Sequence, residues 1–177
     1  MVTPHTTIEQ LKARADAGDR EAQAQLAFAF AKGDLVPRDF KLAAHWYEQA
    51  AQMGLALAQH NLAAMYMNGQ GVERDGEKAV YWFTKAAQNA DVDAQFNLAL
   101  LFGNGELIQQ DDARAFEWLC KAAQNGSGRA QYDLGCWYRN GRHVNVNLDK
   151  AREWFRKAAQ QGLPRAHEQL VSLDELD

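Results

Sequence analysis

The chain has 177 residues, 47% of them hydrophobic, with three prolines and a formal net charge of −4. That is enough apolar material for a single domain with a core, while the acidic balance excludes a general nucleic-acid binder, which needs a basic footprint to displace counterions. No apolar run approaches the ~18 residues of a membrane span, and two cysteines, Cys120 and Cys136, are too few for a disulfide framework.

In chain order, the opening MVTPHTTIEQ has neither a basic nor an apolar leader segment. The expectation is a cytoplasmic chain without a signal peptide, or a secreted or periplasmic one if a leader has been removed. Residues 7–17, TIEQLKARADA, read as a lone capping helix closed by Gly18. From there the sequence copies itself with a period of 36. Tryptophans fall at 46, 82, 118 and 154, and Ala-Gln pairs at 22–23, 58–59, 94–95 and 130–131. Leu26, Leu62, Leu98 and Leu134 recur in step, as do Phe30, Tyr66, Phe102 and Tyr138. The units are 22–57, 58–93, 94–129 and 130–165, and residues 165–176 match only the first half of a unit, a second capping helix. The prediction is one all-α domain over 1–177, without a linker.

Each unit reads as two helices. The first carries apolar residues at i, i+4 and i+8 (Ala94, Leu98, Phe102) and stops at Asn-Gly in three copies, a left-handed C-cap in this setting and not a hairpin turn. The second starts after Asp39, Asp75, Asp111 or Asn147, whose side chains can accept the first free N–H groups. Its apolar set is Ala79, Trp82, Phe83 and Ala86, with Ala87 alongside, so one large ring per unit is expected to fill the stack between small residues. On that reading Trp118→Ala costs ~3–5 kcal/mol. Residues 81–90, YWFTKAAQNA, end in Ala90 where the other copies have Gly54, Gly126 and Gly162. The turn there passes its left-handed residue to Asn89, or widens and lets Asp91 cap the next helix. One pair cannot bury its stripe alone, so the units must stack.

The pattern in AQHNLAAMYMNGQGVERDGEKAVYWFTKAAQNA, repeated four times in register, resembles the Sel-one-like repeat, a relative of the tetratricopeptide repeat. The resemblance covers 22–166 and both caps in part. It implies an α/α right-handed superhelix, a solenoid of four 36-residue helix pairs, with the first helices lining a concave groove, and it implies an adaptor that binds other proteins. Some secreted relatives carry a cysteine pair in each repeat, a pattern this sequence lacks.

Catalytic and metal signatures are wanting. His5, His45, His60, His143 and His167 have no ligand spacing, and GQGVERDG (69–76) follows a helix and lacks the Lys-Ser/Thr of a phosphate loop. By their repeat positions Cys120 is expected exposed and Cys136 at least half buried, too far apart in orientation to pair. The chain is therefore expected to be no enzyme and to need no cofactor and no metal.

A partner is expected where the first helices differ between copies. The resemblance to tetratricopeptide grooves turns inward the row Ala24, His60, Phe96, Tyr132, the next row Gln25, Asn61, Asn97, Asp133, and further along Met67 and Arg139. The asparagines either hydrogen-bond an extended segment or brace their own helix. The aromatic row offers amphipathic contact area, and Phe96→Ala with Tyr132→Ala is expected to abolish binding without lowering the melting temperature. Unit 130–165 carries a net +4 and the tail 166–177 a net −4: a solvated face, or an acidic-partner site around Arg139 and Arg142. The leading reading is a monomeric adaptor with a protein or peptide in its groove, without nucleic acid or membrane. The alternatives are a neutralising, immunity-type partner of an effector and, behind it, a cell-wall or β-lactam hydrolase.

Overall fold

The computed structural model describes residues 8–174, and among these all regular structure is α-helical. Helices α1 (Ile8–Asp16), α2 (Arg20–Lys32), α3 (Phe40–Gln52), α4 (Ala56–Asn68) and α5 (Gly76–Gln88) belong to one compact unit ending at Asp91. A second unit begins at Val92 and holds α6 (Val92–Asn104), α7 (Asp112–Gln124), α8 (Gly128–Asn140), α9 (Leu148–Gln160) and α10 (Pro164–Asp174). Within each unit every helix packs on the next in sequence. Thr7 and residues 175–176, expected at the ends of the capping helices, lie outside the described residues.

The helix ends are locally encoded. Gly33, Gly69 and Gly141 adopt left-handed φ values of 80°, 69° and 70°, and their N–H groups donate to the carbonyls of Ala29, Met65 and Trp137. Each second helix starts on its expected cap: Asp39, Asp75, Asp111 and Asn147 accept the N–H groups of Lys41 and Leu42, Lys78, Arg114 and Lys150. The 69–76 segment is a connector, and Gly71 is fixed in it by space as well as by its φ of 71°. A Cβ there would sit 2.1 Å from the Phe40 carbonyl oxygen, closer than any non-bonded contact permits.

The first helices bury Leu26, Leu62, Leu98 and Leu134 completely, and the alanines at 43, 50, 79, 86, 115, 122, 151 and 158 lose all exposure so that helices can approach. The tryptophan expectation needs correction. Trp46, Trp82, Trp118 and Trp154 are only partly buried. The residue after each one is the core residue: Tyr47, Phe83, Leu119 and Phe155, the two phenylalanines with 0% exposure. In α5 the buried stripe runs through Gly76, Ala79, Phe83, Ala86 and Ala87, and one position of a 3.6-residue helix is a rotation of about 100°. Trp82 therefore falls at the rim. Cations cover the rims that face them, Lys121 Nζ lying 4.2 Å from the Trp118 ring centroid and Lys157 Nζ 4.0 Å from that of Trp154.

The repeated glutamines are buried polar links. Nε2 of Gln23, Gln59 and Gln131 donates to the carbonyls of Ala15, Ala51 and Ala123 at 3.2, 3.1 and 3.1 Å. The Oε1 atoms of Gln59, Gln95 and Gln131 accept from Asn89, Asn125 and Gln161. Gln23 Oε1 is buried without a donor, because Met53 occupies the position that the other copies fill with an amide.

Ala90 also departs from expectation. It adopts φ 63° itself, while Asn89 stays at φ −92°. The turn is neither passed on nor widened: Asp91 N–H donates to Ala86 O at 3.2 Å, as Ser127 N–H donates to Ala122 O at 2.9 Å after Gly126. The closing hydrogen bond forces on Ala90 a conformation that an L-residue resists.

Candidate protein-binding surface

In the first unit, α1, α2 and α4 leave a groove of about 720 Å³. Leu11 closes one side, Tyr47 of α3 forms part of the floor, and Phe28, Leu35 and Leu57 form the walls. These three wall residues are 57%, 68% and 61% exposed, a solvent-facing apolar patch of the kind that marks an interaction site. Ala24 is what leaves the space open, since a small side chain stands there at the level of the groove. The rim is polar, with Glu21 and an ion pair between Lys32 and Asp34. Burial pushes the Tyr47 hydroxyl up to about 12, so it stays neutral at any physiological pH. A smaller recess of about 290 Å³ shares Phe28 and Asn61 with the groove and runs on to Phe40, Ala64 and Gln70.

The second unit has a cleft of about 460 Å³ at the same repeat position. Three repeats on, Glu21, Ala24, Gln25, Leu55 and Leu57 become Arg129, Tyr132, Asp133, Leu163 and Arg165. The larger Tyr132 narrows the space, and arginine replaces both the acid and the leucine. Phe96 contributes its ring, over which the Arg129 guanidinium lies at 4.9 Å. Burial pushes the Asp133 carboxyl above the usual carboxylate range, and the Arg129 charge partly offsets it.

The expected site residues divide accordingly. Asn61 lines the first groove, but its Nδ2 already donates to Leu57 O at 2.8 Å within its own helix. His60 turns away to Phe83, ring centroids 5.4 Å apart, and its Nδ1 lies 2.9 Å from Asp91 Oδ2. Met67, at the end of α4, is partly buried, and its carbonyl accepts from Arg74. Phe96, Tyr132 and Asp133 do meet in the second unit's cleft, whereas Asn97, partly buried, is not part of that lining. Phe96 is only 5% exposed and packs into the core, and Tyr132 leans on Phe155 at 5.6 Å. Removing both rings therefore destabilises the fold, and that double change cannot separate binding from stability. The residues missed by sequence reasoning are Phe28, Leu35, Leu57, Arg129 and Arg165. The available signal was the series Glu21, Leu57, Asp93, Arg129, Arg165, which runs from acid and leucine in the early copies to arginine in the last two.

Arg139 and Arg142, the arginines singled out for an acidic partner, are engaged internally. Arg139 donates to Gln169. Arg142 donates to Asp112 Oδ1 at 2.6 Å and to Gly103 O at 2.6 Å, with its guanidinium 4.3 Å from the Trp137 ring. That pairing holds the Asp112 carboxyl below its ordinary value. The two cysteines are free and both partly buried, Cys120 more so than expected. Burial pushes both thiols up, away from the thiolate form that nucleophiles and metal ligands use. Among the described residues no three His, Cys, Asp or Glu side chains converge as a metal site.

Constant helix pairs carrying variable clefts define a helical-repeat protein. Four consecutive stretches, residues 20–55, 56–91, 92–127 and 128–163, match the Sel1 repeat, and the chain belongs to that family. Sel1-repeat proteins are generally non-enzymatic scaffolds for protein–protein interaction. Among solved structures the chain is similar to a protective antigen present in uropathogenic Escherichia coli strains displaying an SLR fold, with 35% identity over 94% of this chain and a TM-score of 0.88. It spans 36% of that protein's length. It is also similar to a Sel1 repeat protein from Oxalobacter formigenes, with 29% identity, 92% of this chain and 73% of the other covered, and a TM-score of 0.78. Helicobacter pylori cysteine rich protein B, 23% identical with a TM-score of 0.60 over 78% of this chain and 99% of its own, shares the fold. No curated protein sequence matches the chain.

Proposed function

We propose that the chain is a non-enzymatic adaptor that receives an apolar segment of a partner protein in the groove of the first unit. The observation that carries this reading is the exposure of Phe28, Leu35 and Leu57 around one groove of about 720 Å³. Three large side chains held in water cost free energy that a bound segment recovers on covering them. The reading keeps Asn61 as a groove residue, its Oδ1 available to a segment's N–H groups. The raised thiols support a non-enzymatic role for Cys120 and Cys136.

Phe28→Glu with Leu57→Glu tests it. Both positions are more than half exposed, so the fold should lose no more than about 0.5 kcal/mol per site, while a partner captured by the unaltered chain is lost. Capture that survives the double change places the binding surface elsewhere.

A further inference from the structure

The second unit's cleft differs in kind from the first unit's groove, and its charges are not all spoken for. Arg165 is exposed and makes no ion pair among the described residues. Arg129 has a partner, Asp93 Oδ1 at 2.6 Å from its Nη2, but the two side chains are 62% and 64% exposed. A pair so solvated holds little energy and exchanges readily for another carboxylate. Asp93 also shows that a carboxylate can approach Arg129 while the guanidinium stays stacked on Phe96. Apart from the two arginines and Asp133 the lining is apolar or aromatic: Phe96, Tyr132, Leu163 and Pro164.

We propose that this cleft binds an acidic peptide segment, with a carboxylate between Arg129 and Arg165 and a neighbouring apolar side chain against Tyr132, Leu163 and Pro164. Guanidinium groups suit this role because their forked N–H donors match a carboxylate, and the stacked Arg129 is already oriented for it. Asp133 is the one acidic residue of the lining, and the nearby Arg129 charge offsets its repulsion of an incoming acid. The inference shares with the adaptor reading the premise that the clefts take protein segments. It stands on different residues in a different unit, so the two readings fail separately.

The test is direct binding of a fluorescein-labelled peptide, acetyl-Glu-Glu-Leu-Glu-Glu-amide, to the purified full chain, read by anisotropy, with the Gln-for-Glu peptide as control. The Glu peptide should bind and the Gln peptide should bind at least about tenfold more weakly, with the difference shrinking at high salt as screening removes the charge term. Arg165→Glu and Arg129→Glu should each lower affinity for the Glu peptide by about tenfold or more. Asp93→Asn, which releases Arg129, should raise it. Arg156→Glu makes the same charge change at an exposed position on α9 outside the cleft and should leave affinity within about twofold. Equal binding of the two peptides overturns the proposal, as does a loss with Arg156→Glu as large as that with Arg165→Glu. Melting temperatures measured alongside identify any variant that acts by unfolding.

Discussion

The groove of the first unit and the cleft of the second share five equivalent lining positions, yet one is wide and apolar and the other narrow and basic. The frame beneath them is the same: buried leucines at 26, 62, 98 and 134, alanines at every helix crossing, and a buried ring or leucine after each tryptophan. What changes is a handful of first-helix positions. Ala24 against Tyr132 sets the width, and Glu21 and Leu57 against Arg129 and Arg165 set the chemistry. In a repeat protein the stack constrains the buried positions and leaves the cleft positions free, so one frame can offer two unlike surfaces.

If the frame is common, core truncations should cost the same in both units. Phe83→Ala and Phe155→Ala should each remove about 3–5 kcal/mol in denaturant unfolding, and Trp82→Ala and Trp154→Ala clearly less, since those rings sit at the rim. A tryptophan that costs more than its neighbouring phenylalanine would break the assignment of the core register.

The units do differ at the buried glutamines. Asn125→Met should leave Gln95 Oε1 short of a donor and cost about 1–3 kcal/mol. Met53→Asn should supply the missing donor to Gln23 and gain about 1 kcal/mol. No gain from Met53→Asn, measured as a shift in denaturation midpoint, would mean that Gln23 is satisfied in another way.

A smaller difference lies at the turns, where the first unit places Ala90 at a position that the second fills with Gly126 and Gly162. Ala90→Gly removes the left-handed strain but loosens the unfolded chain, leaving a net gain of about 0.5–1 kcal/mol. A loss of that size would contradict the account of this turn.

The smallest effect is acid sensitivity. Asp75 and Asp111 accept backbone N–H groups that hold their carboxyls below the ordinary 3.8. Their capping contribution is therefore complete above about pH 4 and is lost as pH falls through the lower folded-state value. Asn147, the cap of α9 in the second unit, does not titrate. Asp75→Asn should flatten the acid limb of a plot of melting temperature against pH, and an unchanged limb would show that other groups dominate it.

Helix number, helix ends and capping residues were legible because their determinants are local: an Asp accepting the N–H groups two or three residues on, or a Gly one position past the last turn. The inward choice between Trp82 and Phe83 was not, since two adjacent residues lie about 100° apart on a helix and only the neighbouring helix decides between them. Ala90 misled for the converse reason, its preference being overridden by a closing hydrogen bond. The clefts were half legible. Variation along the first helices pointed to Asn61, Phe96, Tyr132 and Asp133, but Phe28 and Leu57 look like core residues in sequence, and only the packing of α2 and α4 leaves them in water.

The central claim is that two equivalent clefts have separate chemistries, and a crossed titration tests it most directly. Leu57→Glu and Arg165→Glu are each titrated with an uncharged amphipathic Leu–Gln helical peptide and with the acidic pentapeptide. The account predicts that Leu57→Glu loses only the uncharged peptide and Arg165→Glu only the acidic one, each by about tenfold or more. Loss of both peptides in either variant, or of neither in both, would contradict it.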